Sequence, residues 1–159
     1  MYIIKFILST VRGEVVNSAV RYCSVNGKTE LVAEAIAKGA GTDAVSVESE
    51  NAVIDQKTDV LFIGASIHSG DIEHSAKSFI YHMSLDNADN AVVFSTSFSP
   101  RAIMILRKHL YRKGVVIQKV YNVWRFPFCK PSKAALKRAE KFARKYIENK
   151  ENEKNEVFV

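Results

Sequence analysis

Ser24, Asn26, Gly27 and Thr29 crowd into six residues, between an apolar run ending at Cys23 and a run with helical periodicity that starts at Thr29. Their hydroxyl and amide groups are hydrogen-bond donors, and Gly27 lets the backbone approach a ligand closely. A helix that opens just after such a loop presents unpaired N–H groups and the positive end of its macrodipole. Together these features suit the holding of a phosphate, with Val25 and Lys28 completing the loop. A plain turn and helix cap would use the same residue types.

Gly27-Lys28-Thr29 also matches the end of the nucleotide-triphosphatase loop. That motif requires a glycine five places before its last glycine, and Tyr22 stands there, which excludes it. Two more loops of small polar residues follow unbroken apolar runs: Ala65-Ser66-Ile67-His68-Ser69-Gly70-Asp71-Ile72 after residues 59–64, and Thr96-Ser97-Phe98-Ser99 after residues 91–95. Apolar runs of this length read as strands buried on both faces of a parallel sheet. In an open α/β sheet, ligands bind beyond the carboxyl ends of the strands where the strand order reverses. All three loops are therefore expected at one edge.

The order Ser-x-Asn-Gly-Lys-Thr resembles the phosphate loop of the flavodoxin family, with Asn26 where that family usually has threonine. Gly64-Ala65-Ser66-Ile67-His68-Ser69-Gly70 resembles the family's ring-lining loop, with His68 where tyrosine is common and Ala65-Ser66 in place of Ser-Pro. Thr96–Ser99 is similar to the family's second ring-binding loop, whose backbone N–H groups bond the pyrimidine edge of the flavin. Phe126-Pro127-Phe128-Cys129-Lys130-Pro131-Ser132, ahead of an amphipathic helix, is similar to the corresponding stretch of short-chain members. The resemblance covers roughly residues 17–148.

It implies a flavodoxin-like three-layer α/β sandwich: a five-stranded parallel sheet of order 2-1-3-4-5 with helices on both faces. It implies flavin mononucleotide (FMN) as cofactor. Ser24, Val25, Asn26, Gly27, Lys28 and Thr29 would hold the phosphate. Ser66, Ile67, His68, Ser69, Gly70, Thr96, Ser97, Phe98 and Ser99 would line the ring. The implied function is electron transfer, or the NAD(P)H-dependent reduction of quinone-like acceptors. The partner would be a redox protein or a small electron acceptor. The competing reading is a flavodoxin-fold protein without flavin, acting as an interaction module through its basic helices (Arg101 to Lys113 and Lys133 to Lys145).

Other chemistry-bearing residues give less. Phe98 suits either covering the ring face or burial against neighbouring helices, Trp124 and Phe126 suit either ring stacking or closure of the sheet edge, and Cys23 at a strand end reads as a buried thiol. His74, His82 and His109 sit on helices without carboxylate or cysteine at ligand spacing, so no metal site is expected, and no catalytic triad or carboxylate pair is readable.

Lys plus Arg total 23 against 17 for Asp plus Glu, a net charge of +6, whereas familiar electron-carrier flavodoxins are acidic. No nucleic-acid motif accompanies the charge, so nucleic acid is not expected as a partner. The two cysteines, Cys23 and Cys129, are too far apart in sequence for a metal motif and form no disulfide framework, which suits a reducing, cytoplasmic setting. The apolar run at residues 1–8 is too short for a membrane span or a signal peptide, so no membrane association is expected.

The elements follow in order. Residues 1–16 form an N-terminal extension, an edge strand or flexible arm; 17–149 form the domain; 150–159 read as a polar, frayed tail. Strands are expected over 18–23, 44–47, 59–64, 91–95 and 115–123. Helices are expected over 29–38, ended by Gly39 and Gly41, over 74–83, from Ser99-Pro100 to 113, and over 133–149 with Ser132 as cap. Monomer and dimer both remain open.

Overall fold

The computed structural model describes residues 14–123 and 129–157. Residues 1–13 of the expected extension, and Trp124 and Phe126 with their expected aromatic roles, lie outside the described residues. Five strands, β1 (Ser18–Cys23), β2 (Ala44–Ser46), β3 (Val60–Ala65), β4 (Asn90–Ser95) and β5 (Val116–Asn122), form one sheet of order β2-β1-β3-β4-β5. Every pairing is parallel. Among the described residues four α-helices cover the sheet: α1 (Lys28–Ala40), α2 (His74–His82) and α3 (Arg101–Lys113) lie in the β1–β2, β3–β4 and β4–β5 connections, and α4 (Lys133–Glu156) follows β5.

Alternation along the strands sorts the core into two layers. Val20, Val60, Phe62, Val92 and Phe94 pack under α1 and α4 with Val32, Ile36, Ala139 and Ala143. Ala19, Leu61, Ile63, Ala91 and Val93 pack on the opposite face with Ile80 of α2 and Leu106 and Leu110 of α3. β3 is buried at every position, which is why it reads as an unbroken apolar run rather than an alternating one. Each of these large side chains gains about 1.5–3 kcal/mol on leaving water. The result is a three-layer α/β/α sandwich of the flavodoxin-like type.

α1 and α4 come unusually close, and Gly39 is the reason. A Cβ at this position would lie 2.1 Å from the Glu140 carbonyl oxygen of α4. Gly39 therefore sits inside α1 as a packing glycine and does not end it. Gly41 ends it, at φ 71, with its N–H donating to the Ala37 carbonyl. α3 starts at Arg101 with Pro100 as its N-cap, one place later than expected, while the Ser99 hydroxyl accepts from the Arg101 N–H at 3.2 Å.

α4 continues past Asn149 to Glu156, so residues 150–156 are helical where a frayed tail was expected. Ion pairs anchor this stretch: Lys150 with Glu153, and Lys154 with both Asp59 at 3.0 Å and Glu14 at 3.8 Å. The Asn155 side chain accepts from the Glu14 N–H at 3.2 Å. These long-range partners are invisible to a reading of local composition.

Candidate functional site

β1, β3 and β4 are neighbours in the sheet, so the loops leaving their carboxyl ends stand side by side. The strand order reverses between β1 and β3, which puts residues 24–27, 66–73 and 96–100 around the switch point. The sequence-predicted residues are thus brought to one edge.

The first loop turns into α1 through Gly27, at φ 80 and ψ −4. This left-handed conformation favours glycine. A Cβ there would meet nothing within 4 Å, so the turn faces open space. The Asn26 side-chain oxygen accepts from the Lys28 N–H at 3.4 Å, a long local bond. The Ser24 hydroxyl is buried yet has no hydrogen-bond partner. Buried hydroxyls are normally paired, so an orphan here points to a ligand. Val25 is 49% exposed on the loop's outer side.

The first and third loops are joined through the core. Thr29, fully buried, shares a hydroxyl–hydroxyl bond of 2.9 Å with Thr96. Ser97 then ties the third loop to the second, because its hydroxyl accepts the Ile67 N–H at 3.2 Å. The Ser97 N–H in turn donates to the Ser95 hydroxyl at 3.2 Å. A chain of hydroxyls therefore fixes the three loops relative to one another. Sequence reasoning named Thr29, Thr96 and Ser97 individually, but not these connections.

Within the second loop, His68 and Asp71 exchange backbone hydrogen bonds of 2.8 and 3.1 Å. Ser69 at φ 51 and Gly70 at φ 85 form the tight turn between them, as in a type I′ hairpin. His68, Ser69 and Gly70 project outward as exposed residues, while Ser66 and Ile67 are half-buried. Lys77 of α2 pairs with the Asp71 carboxylate. That bond and the Ile72 N–H hold the Asp71 carboxyl below its ordinary pKa. Lys77 was not singled out from the sequence, although its spacing from Asp71 across the loop–helix junction is a usable signal. Phe98, at the tip of the third loop, is 63% exposed, as a residue flanking a bound ring would be.

Behind the first loop the Tyr22 hydroxyl donates to Glu30 at 2.8 Å. Burial, then that bond and the nearby carboxylates, push the Tyr22 phenol up to about 12. The Cys23 thiol, 3.3 Å from the Ser75 hydroxyl, is raised by burial. It is an inert core group rather than a nucleophile.

The residues fit a phosphate-bearing ligand: an orphaned buried hydroxyl, a glycine turn facing open space, and a helix N-terminus whose cap position has no side chain. Among the described residues no helix is long and apolar enough to cross a membrane.

No curated protein matches the chain. Among solved structures, the chain is similar to a flavodoxin from the domain Archaea at TM-score 0.68 and 16% identity, covering 84% of this chain and 98% of that one. It is also similar to a flavodiiron core from Synechocystis, at TM-score 0.68 and 21% identity over 93% of this chain. The chain spans only 38% of that flavodiiron core. A flavoprotein from Lactobacillus acidophilus, solved in complex with FMN, is similar at TM-score 0.55 and 16% identity, covering 68% of this chain and 93% of that one. These likenesses agree in fold. Residues 19–115, more than half of the sequence, match the family model of the flavodoxin domain, and the chain belongs to that family.

Proposed function

We propose that the protein binds FMN at this edge and transfers electrons. The observation that carries the reading is the Ser24 hydroxyl, buried without a partner in a loop that opens a helix. Ser24, Asn26 and Thr29 would donate to the phosphate along with N–H groups of the first turn of α1. Ser66 to Gly70 and Thr96 to Ser99 would enclose the ring, with Phe98 at its rim and His68 at the turn. The bound flavin would supply the redox chemistry, and the protein its position and electrostatic surroundings. The hydroxyl chain from Thr29 through Thr96 to Ser97 would keep phosphate loop and ring loops in fixed register, so that little ordering is left to the ligand.

The carrier role, with a redox protein as partner, and the reductase role, with a small acceptor, share this site. The two free thiols suit a cytoplasmic setting. An absorption spectrum of the purified protein, recorded before and after addition of FMN and then desalting, tests the reading. Flavin bands that stay with the protein are expected. Stopped-flow reduction by NADH or NADPH then separates the roles, since rapid turnover belongs to a reductase. Absence of retained flavin, with no spectral change on titration, overturns the proposal and favours an interaction module.

A further inference from the structure

We infer that the exposed face of α3 is the docking surface for an acidic protein, and that the net positive charge of the chain serves this contact. The inference rests on the flavin reading for its purpose, though not for its geometry.

The two basic helices suggested by the sequence do not form one surface. α3 packs on one face of the sheet and α4 on the other. They also differ in character. α4 gathers six cations between Lys133 and Lys145 around a single acid, Glu140, which pairs with Arg144 and with Lys38 of α1, and its last turns mix Lys150 and Lys154 with four glutamates. The α3 sequence RAIMILRKHLYRK holds five Arg and Lys and no acid. Arg101, Arg107, Lys108 and Arg112 are exposed and make no ion pair among the described residues. Lys113 alone is occupied, donating to the Tyr81 carbonyl at 2.7 Å.

Apolar groups interrupt this charge at helical spacing. Met104 is 63% exposed and Tyr111 is 82% exposed, one above the other on the outer face. A purely solvated helix has no need of either. Met, Tyr and Arg together are the residue types enriched in protein interfaces. A polyanion such as nucleic acid would be served by the cations alone.

The surface is continuous with the candidate site. Its first residue, Arg101, has its guanidinium 3.9 Å from where a Cβ of Gly70 would lie, beside the second loop. Burial first, then the fields of Lys77 and Arg112, hold the His109 imidazole below its ordinary pKa. The five cations of α3, beginning with Arg101 beside the second loop, make the face electropositive up to the loops, and Asp71, the nearby acid, is already engaged by Lys77. A partner with a carboxylate-rich surface would be steered here and seated against Met104 and Tyr111.

The test uses plant-type ferredoxin, an acidic electron carrier, as the probe, with binding measured by calorimetry on FMN-loaded and FMN-free protein. At about 20 mM salt binding is expected, and it should weaken at least about tenfold by about 200 mM. R107E/K108E/R112E should lose at least about tenfold in affinity, the milder R107Q/K108Q/R112Q somewhat less, and M104A or Y111A several-fold without altering the salt dependence. K137E/R138E/K141E, on the opposite face, should bind like the parent. Three results overturn the inference: no ferredoxin binding, an equal loss in the α4 variant, or α3-dependent affinity of the same strength for duplex DNA or phosphatidylserine vesicles. Ferredoxin binding by a protein that fails to retain FMN removes the flavin reading alone. Retained FMN without ferredoxin binding removes the α3 surface alone.

Discussion

Thr29→Val tests the hydroxyl chain that joins the loops. The substitution preserves shape and removes one end of a 2.9 Å bond between Thr29, fully buried, and Thr96, only 7% exposed. Thr96 is then left with a hydroxyl that has lost its partner. A buried polar group stripped of its partner costs about 1–3 kcal/mol. Valine and threonine have similar helix propensity, so that contribution nearly cancels. A loss of about 2 kcal/mol is expected, or about 4–8 °C in Tm for a chain of this length. Thr96→Val should cost a similar amount from the other end. The double variant replaces both hydroxyls by methyl groups, leaves neither orphaned, and should fall short of the summed loss by at least about 1 kcal/mol.

Urea unfolding followed by circular dichroism measures this cycle, on FMN-free protein so that ligand binding does not contribute to stability. Single losses that add to within about 0.5 kcal/mol would refute the shared bond. The same variant separates phosphate from ring. Loss of a hydroxyl donor to a phosphate should weaken FMN binding about tenfold or more, while riboflavin, which has no phosphate and feels only the loosened register of the ring loops, should lose less. Equal losses for the two ligands would show that Thr29 acts through loop geometry instead.

Gly39→Ala should destabilise the protein by about 1–2 kcal/mol, because overpacking against the α4 backbone outweighs the gain in helix propensity. A stability gain on chemical denaturation would contradict the close approach of the helices. Tyr22, with its folded-state pKa raised from 10 to about 12, favours its protonated form in the fold. Its contribution is therefore complete below about pH 10 and lost as pH climbs from there through about 12. Alkaline unfolding curves should show that part of the drop missing in Tyr22→Phe, and superimposable curves would count against the Tyr22–Glu30 bond.

The readable parts of the fold are those decided by local pattern. β1 falls at Ser18–Cys23 as expected because an apolar run meets a polar loop at Ser24, and Ser132 caps α4 by accepting the Ala135 N–H. Loop order brings the predicted site residues to one edge, since parallel strands adjacent in the sheet must release their loops together. What local pattern missed was decided by partners distant in sequence. Gly39 reads as a helix terminator until Glu140, on a helix a hundred residues away, is seen against it. The last two turns of α4 read as a tail because Lys154 finds Asp59 and Glu14 only in three dimensions. The Thr29–Thr96 bond is likewise a product of the topology that sets β1 and β4 on either side of β3.

The distribution of charge follows the same logic and changes its meaning. A net charge of +6 describes a chain with two cationic helices, and composition alone treats them as equivalent. They pack on opposite faces of the sheet, and Arg101 at the start of α3 lies beside the second loop of the candidate site. On α4 the cations from Lys133 to Lys145 have Glu140 among them, paired with Arg144 and Lys38, and no large apolar side chain in that stretch is exposed beside them. On α3 the charge is unopposed and adjoins two exposed apolar side chains. The basic balance that sets this chain apart from an acidic flavodoxin is therefore compatible with the same site at the sheet edge: what differs is the sign of the surface beside it, and hence the charge of the partner it selects.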